Sequence, residues 1–325
     1  MSQIEDLKHE LQGLRVEVNA GKLYKSLGLK LSDLLDTVPV TPKTDVSLPD
    51  DGAGIKGLIL HLNEEIREGT LTRIEDGDLL NLLNHLKSPD PAIRDKGVYF
   101  LFNDLMQQKV LTQDQLRLAV RYLSSDQVLF SHITEPENEA VYQRSFAVLI
   151  LSLVLYADRV SYHVLTADEI SAVVDQIACY IILEKDTRGF IGSNGWAHVY
   201  THIGNLLDEL ADRDSLTRAD KLFLMATLIE RYKQLDGALI FGEPQRIAGY
   251  LAHLTSKNRL YADYLLSQLK RWRQQLIIIQ TSENEAVWNR IYNRGRLIEA
   301  MIIRHDFNEA IMQYLSSVID FFGIG

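Results

Sequence analysis

Disulfides and multi-thiolate metal sites are excluded at once, because the chain has a single cysteine, Cys179. It lies in the apolar run 177–182, where a small buried thiol is the expected role. Prolines and glycines are also scarce, seven and 19 in 325 residues, so turns should be few and elements long. Long apolar runs are missing as well. The most apolar stretch, Phe146 to Ala157, has 12 residues and contains Ser152, which is short for a bilayer-spanning helix. The first residues, MSQIEDLKHELQGL, lack the basic and apolar regions of a signal peptide. These features predict a soluble, cytoplasmic chain without a membrane partner. Finally, there is no surplus of positive charge. A net charge of −10 disfavours nucleic acid as a partner. The one basic cluster, Lys270-Arg271-Trp272-Arg273, reads as a solvated helix face beside a packed Trp.

What is present is helical. Apolar residues recur with the 3.6-residue period nearly everywhere, and no alternating strand pattern stands out. Ile4, Leu7, Leu11 and Leu14 form one stripe at the start of an N-terminal helical arm, residues 1–38. That stripe can dock on the body or pair with a second copy to make a dimer. Residues 39–54 hold three prolines and read as a linker, leaving 55–325 as the main domain.

The main domain repeats itself. Leu111-Thr112-x-x-Gln115, Leu165-Thr166-x-x-Glu169 and Leu216-Thr217-x-x-Asp220 each read as one helix start. Thr is the N-cap, the residue three later closes a capping box, and the preceding Leu is a hydrophobic staple. The starts are 54 and 51 residues apart. Before each lies another amphipathic helix, entered at Arg94, Arg144 and Trp196. A repeat of about 50 residues predicts stacked helical hairpins. The expected fold is therefore all-α, a right-handed αα-superhelix of HEAT or armadillo type, with a closed α/α toroid as the alternative. Ser88-Pro89-Asp90-Pro91-Ala92-Ile93-Arg94-Asp95 is similar to a HEAT-type helix start, with Arg and Asp available to pair between repeats. Stacking should gather residues 86–94, 131–144, 184–198 and 235–246 along one edge. Further helices are predicted near 243–256, 258–275, 283–304 and 306–322.

The chemistry-bearing residues concentrate between Glu184 and Asp208. A helix starting at Trp196 would place His198 and His202 on one face, followed by Asn205. Two imidazoles four apart are a common metal-ligand spacing. Asp186 or Glu184 could complete such a site for a divalent metal and help activate a water. The chain lacks the intervening Glu of an HExxH metalloprotease, so no metal or other cofactor is favoured. The structural reading has Asp186 pairing with Arg188 and Gly195 opening the helix. Glu139 and Arg144 should join Glu184, Asp186, Arg188, Trp196, His198, His202 and Asn205 in one polar groove.

Arg94-Asp95, Arg144-Ser145-Phe146, Glu184-Lys185-Asp186-Thr187-Arg188-Gly189-Phe190 and Gly195-Trp196-Ala197-His198-x3-His202 resemble a bacterial family, the domain of unknown function 2785, over residues 75–300. The family pattern carries an Asp where this chain has Asn205, which weakens a His-His-Asp metal site. The resemblance implies signature positions without an assigned chemistry. The expected function is a binding or scaffold module whose groove takes a protein, a peptide or a small polar ligand. The alternative is a hydrolase, working through a metal on His198 and His202 or through paired carboxylates such as Glu139 and Asp186.

Overall fold

The computed structural model describes residues 3–278 and 284–318. Helices account for the regular structure among them, and the only strand-like pairing there is an isolated bridge between Phe190 and Trp196. The arm folds as α1 (Gln3–Asn19) and α2 (Leu27–Leu35). An extended segment then leads to α3 (Ala53–Glu68) and α4 (Asp76–Asn84). Asp90 caps the next start by accepting from Ala92 N, with Pro91 in the first turn. From there α5 (Pro91–Ile93) passes through a π-helical turn (Arg94–Tyr99) into α6 (Phe100–Gln107). α7 (Gln113–Leu123) and the short α8 (Asp126–Leu129) follow.

Four helix pairs complete the fold: α9 (Val141–Ala157) with α10 (Ala167–Leu183), and α11 (Val199–Ala211) with α12 (Arg218–Lys233). Then come α13 (Glu243–Lys257) with α14 (Arg259–Ile278), and α15 (Glu285–Arg304) with α16 (Glu309–Ser316). The last helix is expected to reach 322, but residues 319–322 lie outside the described residues. All three Thr capping boxes form as the local sequence dictates, at Thr112, Thr166 and Thr217. First helices pack on first helices, α9 on α11, α11 on α13 and α13 on α15. Second helices form a parallel row, with α10 on α12 and α12 on α14.

The N-terminal stripe is spent inside the chain. Leu7 and Leu11 are buried, with Ile4 and Leu14 packed alongside, and α1 lies across α10 and α12. Fully buried leucines such as Leu27 and Leu31 on α2 each contribute roughly 1.5–3 kcal/mol. Arg15 locks the arm, donating to Asp220 at 2.8 Å and Asp175 at 2.7 Å. Burial alone would lift the Asp220 carboxyl, but hydrogen bonds from Arg15, Asn19 and Thr217 outweigh it and hold it below the usual range. The extended segment is tied down too: Thr41 N donates to Thr134 O, and Thr44 donates through both N and Oγ1 to Glu135.

Two expectations need correction. The apolar helix is longer than the sequence run suggests. Val141–Tyr162 is continuous over 22 residues, long enough to cross a membrane, and its most apolar 18-residue window has a mean hydropathy of 1.4, yet 67% of that window is buried inside the fold. Arg94 also does not pair between repeats as expected. Its guanidinium takes the adjacent Asp95 at 2.7 Å and reaches across to Asn194 O at 2.8 Å, with Tyr142 and Phe146 stacked near it at 4.3 and 4.7 Å. Trp272 is buried against Tyr232, so the basic cluster around it frames a packed ring.

Candidate functional site

The loop that leaves α10 is built around Glu184. Its carboxylate receives two bonds from Arg144, at 2.7 and 3.2 Å, and the amides of Lys185 and Asp186. Its carbonyl accepts from Tyr200 and from Arg231 Nε at 2.8 and 2.6 Å. Both Arg144 and Glu184 are buried, and Arg144 also donates to Ser131 O. Burial alone would raise the Glu184 carboxyl; the Arg144 guanidinium more than offsets this and holds it below the usual carboxylate range. Asp186 turns back onto Arg188 with bonds of 2.5 to 3.1 Å, and Arg188 crosses to Asn138 O at 2.7 Å. Four loops therefore meet: Arg94 and Asn194 tie the first and third, Arg144 and Arg188 the second and third. Gly189 lies under the Phe241 ring and Gly237 under Thr187, which fixes the fourth.

The two histidines do not share a helix face. α11 begins at Val199, and His198 precedes it in the left-handed region, φ 52° and ψ 34°. The expected start at Trp196 fails because Phe190 and Trp196 pair as a bridge, holding residues 190–196 as a turn. His198 stacks on Trp196 at 4.0 Å and 5°, and its Nδ1 lies 3.5 Å from the buried Glu243 carboxylate. Trp196 and Phe190 are exposed beside Phe241. His202 points inward. The Ser145 hydroxyl donates to Ala197 O, so His202 Nδ1 acts as a donor to Ser145, 2.8 Å from Oγ and 3.1 Å from the carbonyl. Burial, with lesser contributions from His198 and Arg94, pushes the His202 imidazole down to about 3, so it is neutral.

Asn205 accepts from Arg246, and Asp208 binds Arg246 and His253 at 2.8 and 2.5 Å. Among the described residues no cluster of three or more His, Cys, Asp or Glu has metal-holding geometry. Asp186 is committed to Arg188 while His202 is committed to Ser145, so the candidate metal ligands His198, His202 and Asp186 are not brought together. Glu139 sits apart from that set, its Oε2 3.4 Å from Asn194 Nδ2. The paired-carboxylate route gains nothing from Asp186, whose carboxylate is bound by Arg188. Cys179 is buried, and burial pushes its thiol up to about 12, the opposite of an activated nucleophile.

What the loops do enclose is a cavity of about 400 Å³ on the other side of the 184–187 turn. Arg144, Glu184, Asp186, Thr187, Arg231 and Gln234 are among its lining residues. Leu35 and Val38 from the end of the arm, Val40 just beyond it, and Ile133 and Pro136 supply its apolar lining. Trp196, His198, His202 and Asn205 do not line it. The expected single groove is thus two places: a polar cavity and, around Trp196, an aromatic ledge. Sequence reasoning missed Lys185, Arg231, Gln234 and the arm residues of this cavity. Lys185 sits inside the 184–190 signature and could have been found there; the others carry no local signal.

Residues 129–303 match the family described as Protein of unknown function (DUF2785), just over half of the chain. The chain belongs to this family. The match starts later than the sequence resemblance suggests, so Arg94 and Asp95 lie before it, while the 184–202 signature is inside. Neither a curated protein nor a solved structure matches the chain.

Proposed function

We propose that this family member is a cytoplasmic binding protein that holds a small polar ligand in the cavity beneath the 184–187 turn. The observation that carries the reading is how the lining is built. The Arg144–Glu184 pair is buried and fully bonded, so the cavity wall is fixed before any ligand arrives. A volume of about 400 Å³, with mixed apolar and polar walls, suits a small molecule better than a folded partner. The packing of first helices in one row and second helices in another supports a right-handed, HEAT-like superhelix, with the binding loops at one edge. A hydrolytic reading gains no support from the positions of His198, His202, Glu139 and Asp186.

The test is a thermal-shift and calorimetric screen of purified protein against small molecules of anionic, neutral and cationic type. Gln234→Trp, which fills the cavity, serves as the paired control. Binding that is saturable in the parent and lost in Gln234→Trp supports the reading. Absence of binding in every class, or binding that survives the filled cavity, overturns it.

A further inference from the structure

Four cations line the cavity together with five carboxylates, but two of the four stand outside its ion pairs. Five carboxylates line it, and each already has a partner. Glu184 is held by Arg144, and Asp186 by Arg188. Glu137 lies 3.7 Å from Arg188, and Asp236 binds Arg290 at 2.6 Å. Glu135 is bonded by Thr44 and His132. Two lining cations are left over. Arg231 is buried and spends its Nε on the Glu184 carbonyl, and among the described residues no carboxylate lies within ion-pair distance of it. Lys185 is half-buried, its Nζ has only the Thr134 carbonyl at 3.5 Å, and it too has no carboxylate partner among the described residues.

Resting on the cavity-binding reading above, we infer that the ligand is a small organic anion, with a carboxylate or phosphate head on Lys185 and Arg231 and a short apolar body on Val38, Ile133 and Pro136. Two unpaired cations lining one partly enclosed space repel each other, and an oxyanion bound by both removes that repulsion while gaining charge-assisted hydrogen bonds. The Gln234 amide, on the same wall, can add a neutral donor to the head. The state of Lys185 agrees with this arrangement. Burial first, then Arg231, pulls its ammonium below the ordinary lysine range, with Glu184 only partly opposing them. A bound anion would restore that range.

The experiment uses four ligands that share one apolar body: hexanoate, hexyl phosphate, 1-hexanol and hexylamine. Calorimetry on the full-length protein should show hexanoate or hexyl phosphate binding one per chain, with the stronger of the two naming the head group. Lys185→Gln should weaken that binding about 10- to 100-fold, the worth of a charge-assisted hydrogen bond. The melting temperature without ligand should stay level or rise, because a repelled cation is removed. Arg231→Lys, which keeps the charge but loses the fork, should weaken binding less than Arg231→Met. Equal affinity in Lys185→Gln, or preference for hexanol or hexylamine, overturns the anion assignment while leaving a ligand cavity standing. Failure of all four, together with an empty wider screen, removes the cavity reading itself.

Discussion

The Arg144 guanidinium grips the Glu184 carboxylate at 2.7 and 3.2 Å with both groups buried, and the same glutamate's carbonyl is the anchor for Arg231. One residue thus couples the α9–α10 and α11–α12 pairs. Breaking this pair from one side leaves a charge inside the fold. Glu184→Gln is expected to cost about 3–5 kcal/mol in urea unfolding, whereas Arg144→Met with Glu184→Leu should recover a large part of that loss. A single variant as stable as the parent would contradict the assigned role.

His202 sets a pH dependence. Its folded-state value near 3 lies below the 6.5 of an unfolded histidine, so the unfolded chain takes up a proton first as pH falls. Its contribution to stability is complete above 6.5 and is lost between 6.5 and 3, at up to about 1.4 kcal/mol per pH unit. Denaturation followed from pH 7.5 to 4.5 should show a steeper fall in the parent than in His202→Gln. Parallel curves would show that this imidazole is not buried neutral.

Gly237 and Gly189 allow the close approach of the 235–241 loop. A Cβ at Gly237 would collide with the Thr187 hydroxyl, and one at Gly189 with the Phe241 ring. Gly237→Ala should destabilise by about 1–3 kcal/mol and also weaken ligand binding, since Thr187 and Gly237 both line the cavity. Gly189→Ala should cost a similar amount of stability with a smaller effect on affinity. Urea unfolding and calorimetry on the two variants separate these effects.

Trp196→Ala tests the division of the segment into two places. The indole stacks on His198 but does not touch the cavity. Its loss should lower stability by about 1 kcal/mol, the scale of an aromatic pair, and leave hexanoate affinity unchanged. A large loss of affinity would reunite the ledge and the cavity as one groove.

Arg15→Leu leaves Asp220 and Asp175 without their shared cation. Because Asp220 is mostly buried, a loss of about 3 kcal/mol is expected, and limited proteolysis should cut first in the 38–51 segment. Cleavage elsewhere would argue that the arm is held chiefly by its leucines.

Local chemistry was legible in the sequence. The three Thr starts were readable because a capping box is satisfied within four residues, and Asp186 with Arg188 because the partners are two apart. The start of α11 was misread for a physical reason. The left-handed conformation that opens it belongs to His198, and a non-glycine residue gives no warning of it. That Lys185 and Arg231, or Val38 and Ile133, line one cavity depends on long-range packing, which no spacing encodes. Several signature residues lie in the loops that line the cavity, and their side chains chiefly hold those loops together.

Arg94 gives the boundary of the module a different meaning. It stands ahead of the family-matched region, yet its guanidinium closes over Tyr142 and Phe146 and fastens the turn before α11. A chain cut at residue 129 would keep every matched position and lose the keystone set between them. The stretch that the family match marks is therefore packed in part by a side chain that stands outside it.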